Sequence, residues 1–225
     1  MTTEFISSET GTSLPAVGSP LDIAPVIPVV VIERAEHAVP LARALLAGGI
    51  GVIELTMRTA AALDAAREIA AEVPGLVLGI GTIVTAAQAE QAVAAGAQFL
   101  VSPGATDRLL DGMSATGVPF LAGTSSATDV VRLLERGITQ AKLFPAEVVG
   151  GTAMLKALGG PFPQMRFCPT GGITAENAGQ YLALPNVGCV GGTWIAPVDL
   201  QTARNFERIS QLAREAAQLD LRTRR

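Results

Sequence analysis

A chain of 225 residues, 49% hydrophobic and 16% charged, can bury a substantial core as one α/β barrel or as two small domains. Its formal net charge of −4 offers no general attraction for nucleic acid, and the short basic tail Arg222, Arg224, Arg225 does not reverse that. No stretch reaches the roughly 18–20 uninterrupted apolar residues that span a bilayer, and the N-terminus lacks a basic-then-apolar signal pattern, so no membrane partner and a cytoplasmic location are expected.

Residues 1–20, rich in Ser, Thr, Gly and Pro, read as a flexible leader, and 21–225 as a single domain. Strands are expected at 26–32, 51–56, 76–82, 98–102, 118–122, 141–144, 166–170 and 188–191. Alanine-rich helices are expected between and after them, at 36–47, 60–71, 85–95, 106–115, 125–136, 152–158, 174–182 and 202–218. Strands that are apolar on both faces and alternate with helices argue for a parallel sheet, and eight such units close into a (β/α)8 TIM barrel. An open doubly wound sheet usually carries Gly-x-Gly-x-x-Gly after its first strand, whereas residues 28–33 hold no glycine. Cys168 and Cys189 lack Cys-x-x-Cys spacing and read as buried thiols of a reducing compartment. The single histidine, His37, precedes the first helix and has no partners for a base or metal constellation, so neither metal nor cofactor is expected.

In a barrel the reactive mouth lies at the C-terminal ends of the strands, and the unusual polar residues of this chain collect there. Glu54-Leu55-Thr56-Met57-Arg58 closes the second strand, and alternation sends Glu54, Thr56 and Arg58 to one side. Glu54 with Arg58 reads either as a structural ion pair or as an inward acid and guanidinium. Gly79-Ile80-Gly81-Thr82 ends the third strand with small residues that allow close approach and a hydroxyl that can orient a carbonyl or carboxylate. Ser102-Pro103-Gly104 and Ala122-Gly123-Thr124 read as turns that shape the rim. Lys142, one of two lysines in the chain, lies mid-strand in Ala141-Lys142-Leu143-Phe144-Pro145. Its head either snorkels to water or, desolvated, favours the neutral amine and attacks carbonyls. Thr170-Gly171-Gly172 and Gly191-Gly192-Thr193 follow the last two strands, where paired glycines let backbone N–H groups converge on an anion such as a phosphate.

Taken with Ile27-Pro28-Val29-Val30, Lys142-Leu143-Phe144-Pro145-Ala146-Glu147 and Arg166-Phe167-Cys168-Pro169-Thr170-Gly171-Gly172, these segments resemble the 2-keto-3-deoxy-6-phosphogluconate (KDPG) aldolases. These are class I lyases that often also act on 4-hydroxy-2-oxoglutarate. The resemblance covers roughly residues 26–195. It implies Lys142 as the Schiff-base lysine and Glu54 as general acid/base. Arg58 and Thr82 would hold the substrate carboxylate, Pro103 and Phe144 would wall the pyruvyl pocket, and Thr170, Gly171, Gly172, Gly192 and Thr193 would complete the substrate site at its phosphate end. It also implies a phosphorylated 2-keto-3-deoxy sugar acid as substrate, pyruvate as a product, a place in the Entner–Doudoroff route, and a cytoplasmic homotrimer with no cofactor. Ala122 and Val148-Val149 depart from the family wording at the rim. The sister family acting on the galactonate epimer generally lacks an arginine at the place of Arg58 and the Cys-Pro-Thr-Gly-Gly wording. A phosphate-binding barrel isomerase or epimerase accounts for the glycines but less well for Lys142, and a trimeric assembly subunit without catalysis is the third reading.

Overall fold

The computed structural model describes residues 18–219; most of the expected leader (1–17) and the basic tail lie outside the described residues. Eight parallel strands form one sheet: β1 (Val26–Val30), β2 (Val52–Thr56), β3 (Val77–Gly81), β4 (Phe99–Val101), β5 (Phe120–Thr124), β6 (Gln140–Leu143), β7 (Arg166–Pro169) and β8 (Val190–Gly192). Their order is β7-β6-β5-β4-β3-β2-β1-β8, and the bridges Phe167–Val187 and Thr170–Gly191 return β7 to the β8 edge. The expected (β/α)8 barrel is the observed architecture.

Every residue of β1 and β2 is buried, because helices cover the outer face of the sheet and side chains fill the inside. Each Val, Leu or Ile so buried contributes about 1.5–3 kcal/mol. The interior is packed low down: the ring of Phe99 occupies the space that a Cβ on Gly79 would need. Between the strands run α1 (Ala38–Ala47), α2 (Ala62–Glu72), α3 (Ala86–Ala94), α4 (Asp107–Ala115), α5 (Ala127–Leu134), α6 (Gly151–Gly159) and α7 (Ala178–Leu182), followed by α8 (Val198–Thr202) and α9 (Phe206–Ala217). Side chains start several of them. Thr85 with Gln88 and Ser126 with Asp129 make reciprocal capping boxes, and Thr106 and Asn205 each accept a backbone N–H of the first turn.

Of the boundaries that the structure corrects, three bear on how the elements are joined. The fifth strand runs to Thr124 rather than stopping at residue 122: Gly123 pairs with Lys142 and lies against the backbone of Pro103, so this glycine is a close approach and not a turn. The helix expected at 202–218 begins only at Phe206: a turn through Arg204, whose φ is 52°, separates it from the short α8, and Asn205 caps its start. Ser19 and Pro20, assigned from sequence to the leader, belong to the folded body: Pro20 is buried, and the Ser19 hydroxyl bonds Gln140 across 2.8 Å.

Candidate active site

β2 and β6 stand four places apart in a ring of eight, so their side chains can meet only through the barrel interior. Glu54 and Lys142 do meet there. The Lys142 Nζ lies 3.1 Å from Glu54 Oε1 and 3.4 Å from Oε2. Both side chains are nearly sealed, 5% and 4% exposed, so neither head reaches bulk water. A buried lysine on this strand therefore has its head inside the barrel, and the snorkelling reading of Lys142 is set aside. The ring of Phe144 lies 5.2 Å from Nζ, close enough for its face to attract the ammonium.

Neighbouring strands make the room. Gly81, the last residue of β3, has no Cβ where the Glu54 carboxyl group sits; a methyl there would come within 2.7 Å of Glu54 Cδ. Thr56 and Thr124 are buried, and their hydroxyls donate to the backbone carbonyls of Val30 and Lys142 at 3.0 and 3.1 Å, which ties β2 to β1 and β5 to β6 at the level of the pair.

Arg58 lies past the end of β2 in a turn, with its N–H bonded to the Thr56 carbonyl, and is exposed. Its Nε donates to the Thr82 hydroxyl at 3.2 Å. Among the described residues it makes no ion pair, so the structural-pair reading with Glu54 is corrected: Glu54 pairs with Lys142. Thr82 holds φ at 65°, a left-handed conformation costly for a β-branched residue and typical of functional loops. Pro103 contacts the Gly123 backbone beside Lys142, which places it at the same rim.

The second grouping lies across the mouth. Thr170 is buried and packs where a Cβ on Gly191 would lie, and Trp194 does the same at Gly192. Gly171 and Gly172 adopt φ of 98° and 81°, open to glycine and strained for other residues. The carbonyls of Thr170 and Gly171 accept the N–H groups of Ala146 and Glu147 at 2.8 and 3.1 Å, and Asn177 Nδ2 donates to the Gly172 carbonyl at 3.0 Å. Thr193 is exposed next to them. The structure thus brings Lys142, Glu54 and Phe144 into one cluster, Arg58 and Thr82 into a second, and Thr170, Gly171, Gly172, Gly192 and Thr193 onto the adjoining ends of β7 and β8.

Two residues that carry this arrangement had no role in the reading of the sequence. Glu147 stacks its side chain on Gly172, and its Oε1 accepts a short hydrogen bond from the Tyr181 hydroxyl. Burial, and then that carboxylate, push the Tyr181 phenol well above its ordinary value. Glu147 closes the Lys-Leu-Phe-Pro-Ala-Glu segment, but nothing in the sequence around Tyr181 signals that α7 returns it to that loop. The cysteines sit behind the site: Cys168 as a hydrogen-bonding neighbour and full burial push the Cys189 thiol up, which leaves it a poor nucleophile.

The profile of the family described as "KDPG and KHG aldolase" matches residues 17–212. The 2-dehydro-3-deoxy-phosphogluconate aldolase of Pseudoalteromonas atlantica is 50% identical over 85% of this chain and 89% of its own. The KDPG aldolase of Legionella pneumophila, solved with pyruvate captured as a covalent carbinolamine, superposes with a TM-score of 0.86 at 44% identity, over 88% of this chain and 96% of that one. That of Zymomonas mobilis, solved with 3-phosphoglycerate, gives 0.82 and 44% over 88% and 92%. A sealed lysine–carboxylate pair at the mouth of the barrel and a match across nearly the whole described chain lead to one assignment: the chain belongs to the KDPG and KHG aldolase family.

Proposed function

We propose that this protein cleaves KDPG to pyruvate and glyceraldehyde 3-phosphate through an imine on Lys142, with Glu54 moving the protons. The observation that carries the proposal is the 3.1 Å contact between Nζ and Oε1 inside the barrel. Glu54 takes a proton from the lysine, whose free nitrogen pair then adds to the C2 ketone. A second nitrogen proton passes to the new alkoxide to give the neutral carbinolamine, and returning the first proton to its hydroxyl expels water and leaves an iminium. Glu54, directly or through one water, next removes the C4 hydroxyl proton; the C3–C4 bond breaks, the aldehyde departs, and the electron pair enters the iminium to give an enamine. Protonation at C3 and hydrolysis release pyruvate and restore the amine. The complete pair favours this chemistry over a phosphate-binding isomerase or a catalytically idle assembly subunit.

Arg58, braced by Thr82, would hold the C1 carboxylate with its free guanidinium edge, while Pro103 and Phe144 wall the three-carbon end. Gly171, Gly172, Gly192 and Thr193 would receive the phosphate, with Thr170 completing the substrate site at that end. Cleavage of 4-hydroxy-2-oxoglutarate to pyruvate and glyoxylate is part of the same proposal, because it uses the lysine, acid and arginine without the phosphate end. A cytoplasmic homotrimer, and one barrel domain preceded by a leader, complete it, with light scattering as the measurement of assembly. Borohydride reduction in the presence of pyruvate is expected to add one pyruvyl mass to Lys142. A folded protein that gains no adduct would refute the imine.

A further inference from the structure

A carboxylate beside an anion cradle repels the ligand it is meant to receive, so Glu147 next to Gly172 calls for a reason. Its surroundings supply one. The carbonyls of Thr170, Gly171 and Gly172 are each held by a donor: Ala146 N, Glu147 N and Asn177 Nδ2. A trans peptide points its N–H opposite its C=O. Fixing the first two carbonyls therefore aims the N–H groups of Gly171 and Gly172 away from the Ala146–Glu147 loop. Two of the three donors are backbone groups of that loop, so the cradle is as rigid as the loop.

Three contacts hold the loop. The Glu147 side chain fills the face of Gly172, where a Cβ would lie 2.7 Å from Glu147 Cβ. Its Oε1 takes the hydrogen bond of the Tyr181 hydroxyl, and Tyr181 is 1% exposed in the core beneath α7. Gly151, with φ of 55°, opens α6 directly over this bond; a Cβ there would stand 2.8 Å from the Tyr181 oxygen. The bond thus ties the β6–α6 loop to α7, the helix that follows the cradle.

Resting on the KDPG reading above, we infer that Glu147 and Tyr181 are positioning residues that brace the Gly171–Gly172 backbone for the phosphate of the substrate, through the link between the two loops. They touch neither the reacting carbons nor Lys142. Their loss acts at the phosphate end.

The test uses the full chain and inorganic phosphate as probe, followed by the fluorescence of Trp194, the one tryptophan, which packs on Gly192 of the cradle. Tyr181→Phe keeps the ring and deletes the bond. Phosphate affinity is expected to fall roughly tenfold, the order expected for a lost hydrogen bond to a charged group, and KM for KDPG to rise in parallel while kcat holds within about twofold. Glu147→Ala is expected to match it. Glu147→Gln, which keeps an acceptor for the phenol and removes the charge, is expected to restore phosphate affinity to wild type or better. Borohydride trapping of pyruvate at wild-type yield shows that each variant retains its barrel mouth. If Tyr181→Phe and Glu147→Ala bind phosphate like wild type, or if kcat falls and KM does not move, the brace is overturned. Wild-type protein that binds phosphate, responds to these variants and cleaves no KDPG would sink the substrate assignment and leave the brace standing.

Discussion

Gly81→Ala adds one methyl group to the site without replacing a titratable residue. In the parallel register Gly81 pairs with Thr56, and a Cβ on it would lie 2.7 Å from both Glu54 Cδ and Cγ and closer still to Oε1. Carbon atoms rest about 3.5–4.0 Å apart, so the carboxyl group must retreat by on the order of 1 Å. The Nζ–Oε1 contact starts at 3.1 Å. A shift of that size takes it beyond about 3.5 Å, where it no longer serves as a hydrogen bond or a proton path. A misplacement of about 1 Å costs on the order of 100-fold in turnover. Crowding a packed interior costs a further 1–3 kcal/mol or so of stability. Pyruvate release, coupled to its reduction, measures the first and urea unfolding the second. Gly79→Ala is the control, because its methyl meets the Phe99 ring: it should lose comparable stability with a smaller loss of kcat. Turnover within about threefold of wild type in folded Gly81→Ala protein would show that Glu54 is not held where the reaction needs it.

Glu54→Gln, which keeps the shape and removes the proton acceptor, should lower kcat by about 100-fold or more in protein that still folds, with a lower unfolding midpoint because Lys142 loses its charged partner; undiminished turnover would remove Glu54 from the mechanism. Lys142→Met should abolish borohydride trapping and cost about 3–5 kcal/mol, because Glu54 is left buried without its partner; Lys142→Met with Glu54→Leu should recover most of that stability and none of the activity, as read by urea unfolding and pyruvate release. Asp129 gives a pH-dependent case. Burial works to raise its pKa, and hydrogen bonds from Ser125 and Ser126 outweigh it, so the folded pKa lies below the ordinary 3.8. Its contribution is therefore full above that value and fades as pH falls through the lower, folded one. Asp129→Ala should cost about 1 kcal/mol at neutral pH, and the gap to wild type should narrow in urea titrations at about pH 3.

The barrel was legible because its signals are local and repeated. Apolar strands alternate with alanine-rich helices along the whole described chain. The misjudged boundaries have two different physical causes. Gly123 reads as a turn because glycine usually punctuates, yet it continues β5 because the Pro103 backbone leaves no room for a Cβ, a contact between separate loops that no window of sequence contains. Arg204 separates α8 from α9 by its own left-handed φ, without the glycine or proline that would announce a break, so the last helix starts four residues later than expected.

At the site, legibility followed cost. Replacing a buried lysine–glutamate pair with apolar residues of similar volume is often neutral or stabilising, so folding alone gives little reason to keep one in an interior otherwise filled by residues such as Phe99. A charge that stability does not need stands out from its apolar neighbours, and Lys142 between Ala141 and Leu143 does so. Arg58 misled for the converse reason: an acid and a guanidinium in one strand-end motif look like partners, while the true partner of Glu54 lies 88 residues away on the far side of the ring. Glu147 and Tyr181 gave no warning, since an exposed acid on a loop and a tyrosine in a short helix are ordinary when viewed singly. Their meaning lies in a contact across 34 residues, visible only once α7 has packed back beneath the glycines it follows.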